Sequence, residues 1–111
     1  MTQTFRIHLE ATNPDRGNFR AYRIDAGPDL FGHWLVQVTY GRIGAPGRTL
    51  TYSAADAGGA RRIVHRCLAR RATAPRRVGV PYQIRYLTDP HRWTTLGLPH
   101  QLKGRRADAS R

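Results

Sequence analysis

A single cysteine, Cys67, stands among 111 residues, so no disulfide can close within the chain, and a lone thiol fits a reducing compartment. Apolar runs are short. None approaches the roughly 18 residues that cross a bilayer, and Met1 to Arg6 lead straight into an alternating pattern rather than a signal peptide's apolar stretch. The chain reads as soluble, with the cytoplasm as its expected location and no membrane partner. Acidic residues are scarce: seven Asp and Glu in all, dispersed, with Asp25 and Asp29 flanking a turn but lacking a second group to make an acid/base pair. No G-x-S-x-G nucleophile motif occurs, and Gly41-Arg42-Ile43-Gly44 lacks the Gly-Lys-Ser/Thr that would complete a phosphate loop. The five histidines are scattered, and His65 and Cys67, two positions apart on a helix, would point about 200° apart. No metal, no cofactor and no catalytic residue are expected, and the chain is not expected to be an enzyme.

Positive charge is what the sequence has in excess. Its 19 Lys and Arg outweigh the acids by a formal +12, and the sequence pI is near 11.5. The excess is uneven. Residues 1–60 carry six Arg against five acids, whereas residues 61–111 carry twelve Arg and one Lys against two acids. Clustered guanidinium groups suit a polyanion, because each neutralised phosphate releases condensed counterions. Nucleic acid is the favoured partner on this ground, DNA ahead of RNA. An acidic protein is the alternative, and coding bias toward Arg could account for part of the excess. A monomer is favoured.

Phe5, Ile7, Leu9 and Ala11 alternate with Arg6, His8 and Glu10, the mark of a half-buried strand. Asn13 to Asn18 break it. Further strands are expected over Phe19–Asp25 and His33–Tyr40, the latter with Trp34, Val36, Val38 and Tyr40 on one face. Gly41 to Gly47 form a turn in which three glycines imply either positive φ or close approach of another backbone. A short strand, Arg48–Tyr52, follows, with Leu50 and Tyr52 inward. Ser53 reads as a helix N-cap, and Ala60, Ile63, Val64, Cys67 and Leu68 form one apolar stripe on a helix from about Ala54 to Thr73, which Pro75 ends. Val80–Leu87 is a last strand, with Tyr82, Ile84 and Tyr86 on one face. The expected fold class is α+β: an antiparallel sheet of four to five strands with one amphipathic helix packed on one face. Residues 1–87 are expected to form the domain and 88–111 a flexible basic tail, in which one hydrophobic patch could dock.

The stretch from about Phe19 to Leu68 resembles the WGR domain. It carries aromatic-Gly-Arg at Tyr40-Gly41-Arg42, then hydrophobic-Gly at Ile43-Gly44, a Gly-containing turn, a strand and one amphipathic helix. WGR domains occur in DNA-dependent poly(ADP-ribose) polymerases and in various bacterial proteins. The resemblance implies contact with DNA ends or nicks, with the motif aromatic stacking near a terminal nucleotide and the motif Arg touching DNA and neighbouring domains. Tyr40 stands where the motif has Trp. It can still stack but offers less area and a phenol in place of an indole N–H. The chain is too short for the polymerase's catalytic domain and is expected to act as a free-standing binding module.

The candidate nucleic-acid-binding residues are Tyr40, Gly41 and Arg42 at the turn, Arg48 after it, Arg61, Arg62, Arg66, Arg70 and Arg71 on the helix, and Arg76 and Arg77 beyond it. Tyr40 is read equally as core or as ligand contact, since a large aromatic on a sheet face is usually buried. Trp34 is read as core.

Overall fold

The computed structural model describes residues 4–94, together with the backbone of 103–104. Five strands form an antiparallel sheet: β1 (Phe5–Asn13), β2 (Asn18–Pro28), β3 (Trp34–Arg42), β4 (Arg48–Ala54) and β5 (Gln83–Thr88). A two-residue strand, β6 (Lys103–Gly104), adds to β5 in parallel, and the order across the sheet is β4-β3-β2-β1-β5-β6. Helix α1 (Ala57–Arg71) covers one face, and a short helix α2 (Ala74–Val78) leads into β5.

The alternation of apolar side chains fixes which face is covered. Directly paired residues share a face, and the pairing carries rows across the sheet. One row is Leu9–Tyr22–Tyr40–Arg48, the next Ile7–Ile24–Val38–Leu50, the next Phe5–Ala26–Val36–Tyr52. Phe5, Ile7, Leu9, Ile24 and Val36 are almost wholly buried beneath Val64 and Leu68 of α1. Ile63 and Cys67 flank that helical stripe at half-burial.

Several boundaries differ from the sequence expectation. The strand β2 runs on through Ala26 and Gly27, because Phe5 and Trp34 pair with Ala26 and Pro28; Pro28 is tolerated at the strand end. Gly41 and Arg42 belong to β3 rather than to the turn. Ser53 is not the helix cap. β4 stays paired as far as Ala54, and Asp56 caps α1 instead, its carboxylate accepting from the Gly59 N–H at 2.8 Å. Pro75 does not end α1, which stops at Arg71; it opens α2, where a missing N–H costs nothing. In β5 an extra residue bulges opposite His8 and Leu9, so Ile84 and Leu87 point inward and Tyr86 outward.

Beyond β5, in the segment 88–94, Trp93 is buried. Its ring stacks on Phe5 at 5.3 Å and tilts against half-buried Trp34 at 5.7 Å. Asp89 organises the approach, its carboxylate accepting from the Trp93 and Thr94 N–H groups at 2.8 Å each. His65 of α1 lies 2.8 Å from the Trp93 carbonyl through Nε2. Residues 95–102 and 105–111 lie outside the described residues, and with them most of the expected tail.

Candidate nucleic-acid interface

Gly41 has ordinary strand φ, so conformational freedom is not its function. The turn after β3 folds back across it, and a Cβ built on Gly41 would stand 2.9 Å from the Gly47 Cα. Gly47 in turn adopts φ 75°, and its own Cβ would meet the Tyr40 carbonyl at 2.7 Å. Of the two readings of the glycine-rich turn, Gly41 answers to close approach of backbone, Gly44 and Gly47 to positive φ. The neighbour against Gly41 is the protein's own chain. The Ile43 N–H to the Phe19 carbonyl (2.9 Å) and the Ala45 N–H to the Arg42 carbonyl (3.0 Å) hold the turn in place.

This compact corner sets the two side chains beside it. Tyr40 lies on the helix-side face of β3 and is 36% exposed, at the edge of the core rather than inside it. Arg42 is exposed, and its guanidinium lies over the Phe19 ring at 4.9 Å. Stacking on one plane supports the group while leaving its N–H edge outward. Among the described residues the Arg42 side chain has no ion pair and no hydrogen bond.

The antiparallel topology decides what else comes near. Arg20 pairs with Arg42, and Tyr40 with Arg48, so the β1–β2 and β3–β4 turns share one end of the sheet. β4 leads away from this end and α1 returns to it, since Gly59 in its first turn lies beside Ala54 and Arg71 ends it 4.6 Å over the Tyr22 ring. Helix α2 stays there, with the Asn13 side-chain amide donating to the Val78 carbonyl at 2.8 Å. Arg16, Arg20, Arg42, Arg48, Arg70, Arg76 and Arg77 thus gather at one pole of the domain, Asp15 alone among the acids sharing the turn with them. A cleft of about 470 Å³ opens at this pole, lined by Gly17, Asn18, Phe19, Arg20, Tyr40, Gly41, Arg42, Gly47 and Arg48. Asp29, Asp56 and Asp89 lie toward the opposite end, in the β2–β3 turn, before α1 and after β5. On the sheet face away from the helix, Asp25 is held by Arg6 (2.5 Å) and Arg23 (3.2 Å), and Glu10 by Arg85 (3.3 Å). Asp25 is thus occupied away from the pole, and Glu10, which shares the Gly41 row on that opposite face, is taken up by Arg85, so neither compensates the arginines on the helix side of the pole.

The helical arginines do not share one face. At 3.6 residues per turn, Arg70 lies on the Cys67 flank, toward β4, whereas Arg61 lies on the His65 flank, toward Trp93. Arg61 is also about 15 Å along the axis from Arg71, at 1.5 Å per residue, and Arg62 folds near the first-turn glycines. Arg71 is half-buried, its guanidinium facing Tyr22 and, at 5.9 Å, Tyr82. Burial first, then the adjacent Cys67 thiol, raises the Tyr22 hydroxyl pKa far above its ordinary value, so Tyr22 is a neutral seat for that cation. Arg77 turns back to the Thr73 hydroxyl and, at 3.3 Å, the Arg70 carbonyl, closing the end of α1.

A family model of the WGR domain matches residues 5–73. The chain belongs to the WGR family. WGR domains are nucleic-acid-binding modules of PARP-like proteins, with a binding rather than a catalytic role. The match begins at β1 and ends just past α1, so this WGR domain includes the β1–β2 turn that brings Arg16 and Arg20 to the pole. No curated protein and no solved structure matches the chain. Arg16, Arg20 and Phe19 carry no functional signal in the sequence, because only strand pairing places them beside Tyr40 and Arg42. Among the described residues no group of three or more His, Cys, Asp or Glu could hold a metal, and no helix is long and apolar enough to cross a membrane.

Proposed function

We propose that this WGR domain binds DNA through the cationic pole of its sheet. Arg20, Arg42 and Arg48 would contact phosphate, and Tyr40 would stack on a terminal base or sugar at an end or nick. The observation that carries this reading is the convergence of two turns and the end of α1 around a partly exposed tyrosine, with Asp29, Asp56 and Asp89 toward the other end and Glu10 and Asp25 paired on the face away from the helix. A guanidinium backed by an aromatic ring and free at its edge presents donors in a plane suited to phosphate oxygens. A tyrosine ring at the rim of a charged surface offers a stacking platform that tolerates any base. Arg66, Arg70 and Arg76 extend the field; Arg61 and Arg62 are too remote to join a single contact patch, and Arg71 and Arg77 serve mainly to seat the helix.

The test compares a short blunt duplex with a closed circular duplex of the same sequence. Wild type is expected to favour the probe with ends. Tyr40→Ala is expected to lose that preference while retaining weaker binding to both, and Arg42→Ala to weaken both alike. An end preference unchanged in Tyr40→Ala removes the stacking role; absence of binding to either probe in dilute buffer removes the reading.

A second reading has one observation in its favour. Leu30 and Phe31, at the tip of the β2–β3 turn, are 92% and 83% exposed, and the Asp29 carboxylate orders that tip by accepting from the Phe31 and His33 N–H groups. An ordered apolar tip suits contact with another protein. A partner retained after nuclease treatment and lost in Leu30→Ser/Phe31→Ser would support it.

A further inference from the structure

The edge strand β4 is exposed from Arg48 to Ser53, and α1 covers it only in part. On the helix side it presents Arg48, Leu50 and Tyr52 in succession, with Leu50 and Tyr52 40% and 38% exposed. The row begins at the pole, where Arg48 pairs with Tyr40, and runs about 13 Å away from it to Tyr52. There a cleft of about 200 Å³ lies between sheet and helix, lined by Tyr52, Arg66, Cys67 and Arg70. Two exposed tyrosines are therefore joined by an apolar step, with arginines at its start and on the helical bank. Neither β4 nor α1 contains an acid.

We propose that this groove is a track for single-stranded nucleic acid, which leads an overhang away from the duplex end held at the pole. The inference rests on the DNA-binding reading and names the substrate class it would favour: ends with a protruding strand. Charge complementarity selects the occupant. A strand with splayed bases can stack on Tyr40 and Tyr52 and lay its phosphates along Arg48, Arg66 and Arg70, which is how aromatic platforms and basic grooves share the work in single-strand binding. A duplex cannot offer its base faces to either ring. A second copy of this chain, pairing edge to edge on β4, would bring two strongly cationic surfaces together.

The experiment uses the full chain and fluorescence anisotropy. Its probes are a blunt duplex, the same duplex with 5′ or 3′ DNA overhangs of about six nucleotides, an RNA overhang of the same sequence, and a longer blunt duplex of equal total charge. One of the overhang probes should bind about tenfold more tightly than either blunt duplex, which is within the range that one stacked base is worth. Tyr52→Ala should abolish the gain and leave blunt-duplex affinity unchanged, and Tyr52→Trp should keep it. The RNA arm distinguishes a track for any single strand from one for DNA. Equal binding of overhang and charge-matched blunt probes, or a gain that survives Tyr52→Ala, overturns the track while leaving the pole intact. A dimer that forms without nucleic acid and is lost in Tyr52→Ala also overturns it, in favour of edge pairing. Failure to bind every probe overturns the DNA reading itself.

Discussion

Replacing Gly41 by Ala tests why the central glycine of the motif is a glycine. Its φ is open to any residue, so backbone conformation alone predicts no cost. The added methyl would stand 2.9 Å from the Gly47 Cα, against an optimal carbon–carbon separation of about 3.5–4.0 Å. More than half an ångström must be absorbed by a turn tied at Ile43 and Ala45 and packed on Tyr40 through Gly47. Overpacking of this kind costs about 1–3 kcal/mol, and a mid-range cost lowers Tm by about 10 °C in a domain of this size. Gly44→Ala makes the comparison sharp. Gly44 has φ 87° and nothing within 4 Å of a built Cβ, so its substitution costs only left-handed strain, about 1 kcal/mol. Thermal and urea unfolding should place Gly41→Ala below Gly44→Ala, and DNA affinity should fall further in Gly41→Ala because Tyr40 and Arg42 move with the turn. If Gly44→Ala proves the more damaging, or Gly41→Ala is neutral, close approach is not the reason for this glycine.

Trp93→Ala should destabilise the domain by about 3–5 kcal/mol, and truncation after residue 87 should do the same, both read by urea denaturation; a truncated chain as stable as the whole would show that the domain ends there. Asp25→Ala should cost about 2 kcal/mol, less than a fully buried pair, because Arg6 and Arg23 are part-exposed and can turn to water; equal stability would show the cluster is idle. Burial, with Arg23 and Arg6 nearby, holds the His8 imidazole below its ordinary 6.5. The unfolded chain therefore takes up this proton first as pH falls through 6.5, and stability contributed by neutral His8 is present above that value and lost below it, down to the folded pKa. Denaturation midpoints of wild type and His8→Gln should converge toward acid across that window, and parallel profiles would exclude the effect.

The strands and the helical stripe were legible because alternation and a 3.6-residue period are local. Phe5, Ile7, Leu9, Val64 and Leu68 announce their faces whatever the topology. What stayed hidden depends on pairing. Leu50 and Tyr52 do face the helix side, as their spacing says, but β4 lies at the sheet edge and the helix covers it only in part. Ser53 has the chemistry of a cap, but pairing of Ala54 with Trp34 delays the turn to Asp56. A bulge at Arg85 turns Tyr86 outward, and no pattern in Val80–Leu87 marks it. Trp93 lay in a stretch with no period, because a single docked residue has none. The charge asymmetry was visible, but its axis was not. The sequence divides into a neutral and a basic half, whereas the fold divides by ends, joining Arg16, Arg20, Arg42 and Arg48 from the first half to Arg70 and Arg76 from the second and leaving Arg61 and Arg62 apart.

The division by ends is what the salt dependence of DNA binding measures. The logarithm of affinity should fall linearly with the logarithm of salt concentration, by about 0.9 for each phosphate neutralised. Arg20→Gln, Arg42→Gln and Arg48→Gln are each expected to reduce that slope by about one, and Arg61→Gln to leave it where it was. A slope indifferent to the three polar arginines, or as sensitive to Arg61 as to Arg42, would place the contact elsewhere on the molecule.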